Sequence, residues 1–160
     1  MIPFNQPYKS GDEFKYVKDV LESNFLSGNH KYTEMCHKFL QEHLQANAVF
    51  LTPSATSALE MALMLSDVGP GDEVILPSFT FSSCATAILR QGAKPVFVET
   101  DKENLLIDVT KLHKNINKKT KAIIPVHVSG RGSNIIKIKN FAKKYNIFLI
   151  EDAAEAFFSK

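Results

Sequence analysis

Four short segments of this chain gather hydroxyls, aromatic rings, an imidazole and carboxylates, each directly after an apolar run. The first is Thr52-Pro53-Ser54-Ala55-Thr56-Ser57-Ala58. Small and hydroxylic residues there open a helical pattern, and free backbone N–H groups at a helix N-terminus attract phosphate. The same residues also serve as plain caps, with Ser54 or Thr56 closing the helix. The second is Pro77-Ser78-Phe79-Thr80-Phe81-Ser82-Ser83, two rings among hydroxyls. Either a ring stacks on a planar ligand, or both pack in the core. The third, Pro125-Val126-His127-Val128-Ser129-Gly130, carries a histidine that is either a catalyst or a hydrogen-bonded structural residue. The fourth, Glu151-Asp152-Ala153-Ala154-Glu155, sets three carboxylates after a strand-like run. A carboxylate there can hold a cationic ligand group or a metal, and the alanines let a flat ligand reach the backbone. The competing reading makes Asp152 a helix cap.

Other chemistries lack their fingerprints. Neither GxxxxGK[ST] nor GxGxxG occurs, so there is no P-loop and no dinucleotide motif. The remaining histidines, His30, His37, His43 and His113, have no metal-ligand spacing, and no metal is expected. Cys36 and Cys84 are far apart and form no CxxC, which argues against a disulfide framework or a zinc site.

The elements that must position these segments can be read from periodicity. Ser10 and Glu13 form a capping-box pattern before Phe14, Val17, Leu21 and Phe25 at near-helical spacing. Ser27-Gly28-Asn29 breaks the pattern, and Thr33 is placed to cap a second helix carrying Met35, Phe39, Leu40 and Leu44. Apolar runs then alternate with helical segments. The runs are Ala48 to Leu51, Glu73 to Leu76, Pro95 to Val98, Ala122 to Val126 and Ile147 to Ile150. Their near-continuous apolar character suits parallel strands covered on both faces. Helices are expected at Thr56 to Leu65, Ser82 to Gln91, Asp108 to Lys114 and Asn134 to Tyr145. The order βαβαβαβαβ predicts an α/β layered sheet, and ligands in such sheets sit beyond the carboxyl ends of the strands. The domain boundaries follow: a helical segment at 1–46 and an α/β domain at 47–160.

Composition limits the classes. Of 160 residues, 44% are hydrophobic and 22% charged, which excludes disorder and allows one substantial core. Nineteen basic against 17 acidic residues give a net charge of +2, no basis for nucleic-acid binding. No apolar run approaches the roughly 18 residues of a membrane helix, and the start has no basic, apolar leader pattern. A cytoplasmic protein is expected.

Taken in order, several motifs resemble one family. They are Ile2-Pro3-Phe4, Leu26-Ser27-Gly28, Pro53 to Leu59, Pro70 to Ile75, Pro77 to Phe81, Gly92 to Val98, Pro125-Val126-His127 and Glu151 to Ala154. The chain resembles the N-terminal part of the DegT/DnrJ/EryC1/StrS sugar-nucleotide aminotransferases, pyridoxal-phosphate (PLP) enzymes of the aspartate aminotransferase fold. Met1 to Asn5, Leu51 to Met61 and Pro77 to Phe81 look most like the branch that makes dTDP-4-amino-4,6-dideoxygalactose for surface polysaccharides such as enterobacterial common antigen and lipopolysaccharide. The resemblance implies a PLP-binding large domain, incomplete at its C-terminus. It implies that Ala55 and Thr56 bind the PLP phosphate, that Phe81 stacks on the pyridine and that Asp152 pairs with the pyridine nitrogen. Glu155 falls where the family usually has Gln or His near the ring hydroxyl.

The same resemblance carries expectations about the whole enzyme. Its substrates would be a 4-keto-6-deoxyhexose nucleotide and an amino-acid donor, with glutamate expected. Active sites between two subunits imply a homodimer at full length. Family members are more than twice this long, and their Schiff-base lysine lies in a Ser-Phe-His-x-x-Lys stretch beyond the Asp motif. Lys160 is too near Asp152 to match it, so no catalytic residue is assigned here. Without that position, transaminase and dehydratase chemistries are not distinguished. The alternatives are a truncated, inactive remnant that binds PLP weakly at most, and a small phosphate-binding domain outside the family.

Overall fold

The computed structural model describes residues 2–3 and 6–159. Phe4 and the other family marks at Met1 and Asn5, as well as Lys160, lie outside the described residues. The chain divides into two compact units, Met1–Leu51 and Thr52–Lys160.

The first unit holds two helices, α1 (Glu13–Glu22) and α2 (Lys31–Leu44). Asp19 of α1 joins them, accepting from the Lys31 ammonium at 2.7 Å and the Tyr32 hydroxyl at 2.8 Å. Those two donors hold its carboxyl below the usual range. Neither helix buries a residue; Phe14, Val17, Leu21 and Phe39 are all exposed. Three expectations change here. Glu13 does reach back to the Ser10 N–H at 2.7 Å. Yet Gly11, at φ +94°, turns the chain so that Asp12 is the N-cap, and the Ser10 hydroxyl donates to Glu13 instead of capping. Thr33 lies inside α2, which starts after His30. The run Ala48 to Leu51 is not a strand: it joins no ladder, and Phe50 and Leu51 are exposed.

The second unit is the α/β layer. Its elements are α3 (Ala55–Leu65), β1 (Glu73–Pro77), α4 (Ser82–Arg90), β2 (Lys94–Val98), β3 (Thr120–Ile123), α5 (Ile135–Tyr145) and β4 (Phe148–Leu149). Among the described residues four strands form one parallel sheet in the order β2-β1-β3-β4, confirming the predicted class with four strands in place of five. The helix expected at Asp108 to Lys114 shrinks to a 3₁₀ turn at Leu112–Lys114. Asp108 explains this, since its carboxylate takes the N–H and hydroxyl of Thr110 at 2.9 and 2.6 Å and offers the backbone a local turn.

Period-two alternation gives the sheet two apolar faces. Val74, Leu76, Ala122 and Ile124 point to one side, packing with Leu59 and Leu63 of α3 and Ala87 and Ile88 of α4. Ile75, Val98 and Ile123 point to the other, packing with Ile138, Phe141 and Ala142 of α5 and with Leu112. Helix α4 therefore crosses on one face between β1 and β2, and α5 crosses on the opposite face between β3 and β4. The strand order reverses between β1 and β3, and a crevice opens at that reversal beyond the carboxyl ends. Among the described residues, no helix is long and apolar enough to cross a membrane.

Candidate functional site

The crevice holds a cavity of about 460 Å³, walled by the start of α3 and the loops after β1, β3 and β4. All four sequence segments contribute to it: Ala55 and Thr56, Phe79 and Phe81, His127, and Asp152 with Glu155.

Helix α3 begins as its sequence dictates. Ser54 is the N-cap, and its hydroxyl accepts the Ser57 N–H at 3.1 Å. The plain-cap reading of Ser54 is thus correct, and it leaves phosphate chemistry open. No acceptor among the described residues takes the amides of Ala55 and Thr56, which border the cavity. Two free amides at the positive end of an 11-residue helix make an anion seat.

The rings after β1 do not pack in the core. Phe79 is 49% exposed and Phe81 is 74% exposed, although both line the cavity. Phe81 is the N-cap residue of α4, so the helix start fixes its backbone while leaving its face open. An exposed aromatic beside a cavity offers a planar ligand a stacking surface.

His127 has the structural role. It is buried at 8%, and its Nδ1 accepts the Ser133 N–H at 3.0 Å. That assigns the ring proton to Nε2, which faces Glu151 Oε2 at 3.0 Å. Both nitrogens are spent on the protein.

Asp152 continues the β3–β4 pairing three residues beyond the strand ends, bridging to Val126. Its N–H donates to Pro125 O at 2.9 Å, and its carbonyl accepts from the His127 N–H at 3.0 Å. Among the described residues after Asp152 none is helical, and its Oδ1 takes the Ala154 N–H at 3.0 Å in a turn. The side chain is buried, at 7% residue exposure, and no cation among the described residues forms an ion pair with it. A buried carboxylate without a cation, set in a cavity wall, suits a cationic ligand group. No cluster of three metal-ligating side chains occurs among the described residues.

Glu155 lines the same cavity, but its Oε2 accepts the Ser129 N–H at 2.8 Å. Cys84, which no sequence pattern singled out, lies behind the wall with its thiol 2.9 Å from Asp152 Oδ2. Burial, and next the Asp152 carboxylate, push that thiol up to about 12. The available signal was its place three residues after Phe81, within the first turn of α4.

An anion seat at a helix start, an open ring and a buried carboxylate gather at the switch point of a parallel sheet, a combination whose chemistry suits a planar, phosphorylated, cationic ligand. The family follows from comparison. The profile of the DegT/DnrJ/EryC1/StrS aminotransferase family matches residues 7–160, and the chain belongs to that family. It is 35% identical to a GDP-perosamine synthase of Vibrio cholerae, over 98% of this chain and 42% of that protein. It is 38% identical to a UDP-4-amino-4-deoxy-L-arabinose–oxoglutarate aminotransferase of Shewanella sediminis, over 97% of this chain and 40% of that one. Among solved structures, NtdA from Bacillus subtilis, with bound cofactor PMP, superposes with a TM-score of 0.85 at 33% identity. That match covers 89% of this chain and 32% of NtdA. The chain thus spans about two-fifths of the length of the curated relatives it matches.

Proposed function

We propose that this chain forms the cofactor-binding part of a PLP-dependent aminotransferase that acts on nucleotide-linked 4-keto-6-deoxyhexoses. The observation that carries this reading is Asp152, a buried carboxylate in a cavity wall with no cation partner among the described residues. The residues present fit PLP in charge and in hydrogen-bonding groups. Ala55 and Thr56 take its phosphate through free amides, and the Thr56 hydroxyl adds a donor. Phe81 would offer its exposed face to the ring. Asp152 keeps the proton on the ring nitrogen, because a buried anion strongly favours a charged neighbour. When bound, PLP supplies an electron sink for the pair left as a proton departs from the carbon bearing the amino group. Within this chain, Asp152 would set the charge of that sink, while Thr56 and Phe81 would hold it in place. Glu155 is committed to the Ser129 amide and does not act as a donor to the ring oxygen. None of the lysines here is assigned the Schiff-base role.

The finer reading concerns the substrates. The sequence branch favours a dTDP-linked sugar with glutamate as donor, in the cytoplasm, for a surface polysaccharide; the likeness to sugar aminotransferases supports the class. A homodimer is part of the same reading. The test has two arms. Equilibrium dialysis of the intact chain against PLP should show retention, and Asp152→Asn should bind about tenfold more weakly or worse. Protein purified from its own cells should convert dTDP-, GDP- or UDP-linked 4-keto-6-deoxyhexose plus glutamate to an amino sugar, read by mass. PLP retention unaffected by Asp152→Asn would refute the site, and no amino sugar from any of the three would refute the activity.

A further inference from the structure

Asp152 does not face the cavity as a loose carboxylate. Oδ1 accepts the Ala154 N–H at 3.0 Å, and Oδ2 lies 2.9 Å from the Cys84 sulfur, whose S–H donates to it. The two residues of the second contact are 68 positions apart. Cys84 comes from the first turn of α4, and Asp152 from the turn after β4. The contact ties the far end of the sheet to the crossover helix beside Phe81.

Two donors on two different oxygens define the carboxylate plane, whereas the last torsion of an aspartate held by one donor is broad. Each carboxylate oxygen has more than one acceptor site, so Oδ2 can serve Cys84 and a further N–H together. A thiol is also a weak donor compared with a hydroxyl. It fixes the carboxylate while drawing little charge from it. We infer that Cys84 is a positioning residue, whose thiol holds the Asp152 carboxylate in the orientation that receives a protonated ring nitrogen. This rests on the PLP reading above. Cys84 is fully buried and does not line the cavity, so it acts on a ligand only through Asp152.

Packing is the competing role, because Cys84 also sits in the apolar cluster with Leu76, Ala87 and Ile88. The two roles make opposite demands on substitution. Packing favours Cys84→Val and penalises Cys84→Ser. Positioning needs a donor, which serine keeps and valine loses.

The experiment uses the intact chain with Cys36→Ser, which leaves Cys84 as the sole thiol. The S–H stretching band is recorded by infrared spectroscopy in a window free of other protein bands. Replacing the carboxylate by Asp152→Asn should move the band to higher frequency as the hydrogen bond weakens. PLP affinity by equilibrium dialysis should fall about tenfold in Cys84→Val and stay within about twofold in Cys84→Ser. An unmoved band overturns the thiol–carboxylate bond, and it needs no variant at Cys84. Wild-type PLP affinity in Cys84→Val overturns the positioning role. A parent chain that binds no PLP overturns the reading of the site and the ring-nitrogen role with it. A band that still moves with Asp152→Asn in that chain separates this outcome from loss of the contact.

Discussion

Ser133 donates its buried backbone N–H to Nδ1 of His127 at 3.0 Å, six residues back along the chain. The Ser133 hydroxyl donates to Val126 O at 2.9 Å, so the loop after β3 is stitched to its own start. The histidine is therefore a brace for the cavity wall. His127→Ala strands the Ser133 N–H and should cost about 1–3 kcal/mol of folding stability by urea titration. A loss below about 0.5 kcal/mol would show that water or a neighbour replaces the imidazole.

The cap of α3 and its anion seat use different amides. Ser54 serves Ser57, while Ala55 and Thr56 stay free. Ser54→Ala should lower stability by about 1 kcal/mol, and Ser54→Gly by only a few tenths. The urea midpoints of the two variants check the order. Equal losses would mean that the hydroxyl contributes nothing.

Cys84 gives the chain an alkaline limit. Burial, then the Asp152 carboxylate, raises its thiol from the ordinary 9.0 to about 12. Above pH 9 the unfolded thiol loses its proton while the folded one keeps it, so the folded state binds more protons and stability falls as pH rises. The contribution is intact below pH 9 and lost between pH 9 and 12. Denaturant titrations across that window should show Cys84→Ser declining less steeply than the parent chain. Parallel slopes would contradict the shifted thiol.

Glu155 holds the turn at Ser129, whose φ of +50° is uncommon for a residue with a side chain. Glu155→Gln keeps an acceptor and should leave the turn in place. Glu155→Ala should speed hydrogen exchange of the Ser129 amide about tenfold or less, since the carboxylate is exposed and screened. Unchanged exchange in Glu155→Ala would show that the turn holds by itself.

Helices α3, α4 and α5 were legible within a residue or so, because their apolar spacing and flanking Ser, Gly and Asn signals agree. The parallel sheet was legible from β-branched runs with few polar interruptions. The run Ala48 to Leu51 looked the same, but four apolar residues carry no information about whether a neighbouring strand exists. The turn at Leu112–Lys114 was obscured by Asp108, whose side chain competes with a helix in a way that hydrophobic spacing does not register. The site was legible as four rim segments, since the topology rule converts strand ends into a location. The partner of Asp152 was not. Its contact with Cys84 bridges 68 residues, and only the folded sheet brings them together.

The strand order β2-β1-β3-β4 also divides the site between two strand pairs, each local in sequence. Pairing β1 with β2 needs only the α4 crossover and already presents Phe81. Pairing β3 with β4 needs only the α5 crossover and presents Asp152, and the two halves of the site meet only when β3 pairs with β1. Such distant parallel pairings are the slow steps of folding, because chain closure must precede any gain from contact. A chain in which β1 and β3 have not met therefore holds the ring and the carboxylate apart. Binding competence arrives last, and a ligand that needs both selects the finished sheet over every earlier form. Refolding with PLP present should then give more native protein than refolding followed by its addition.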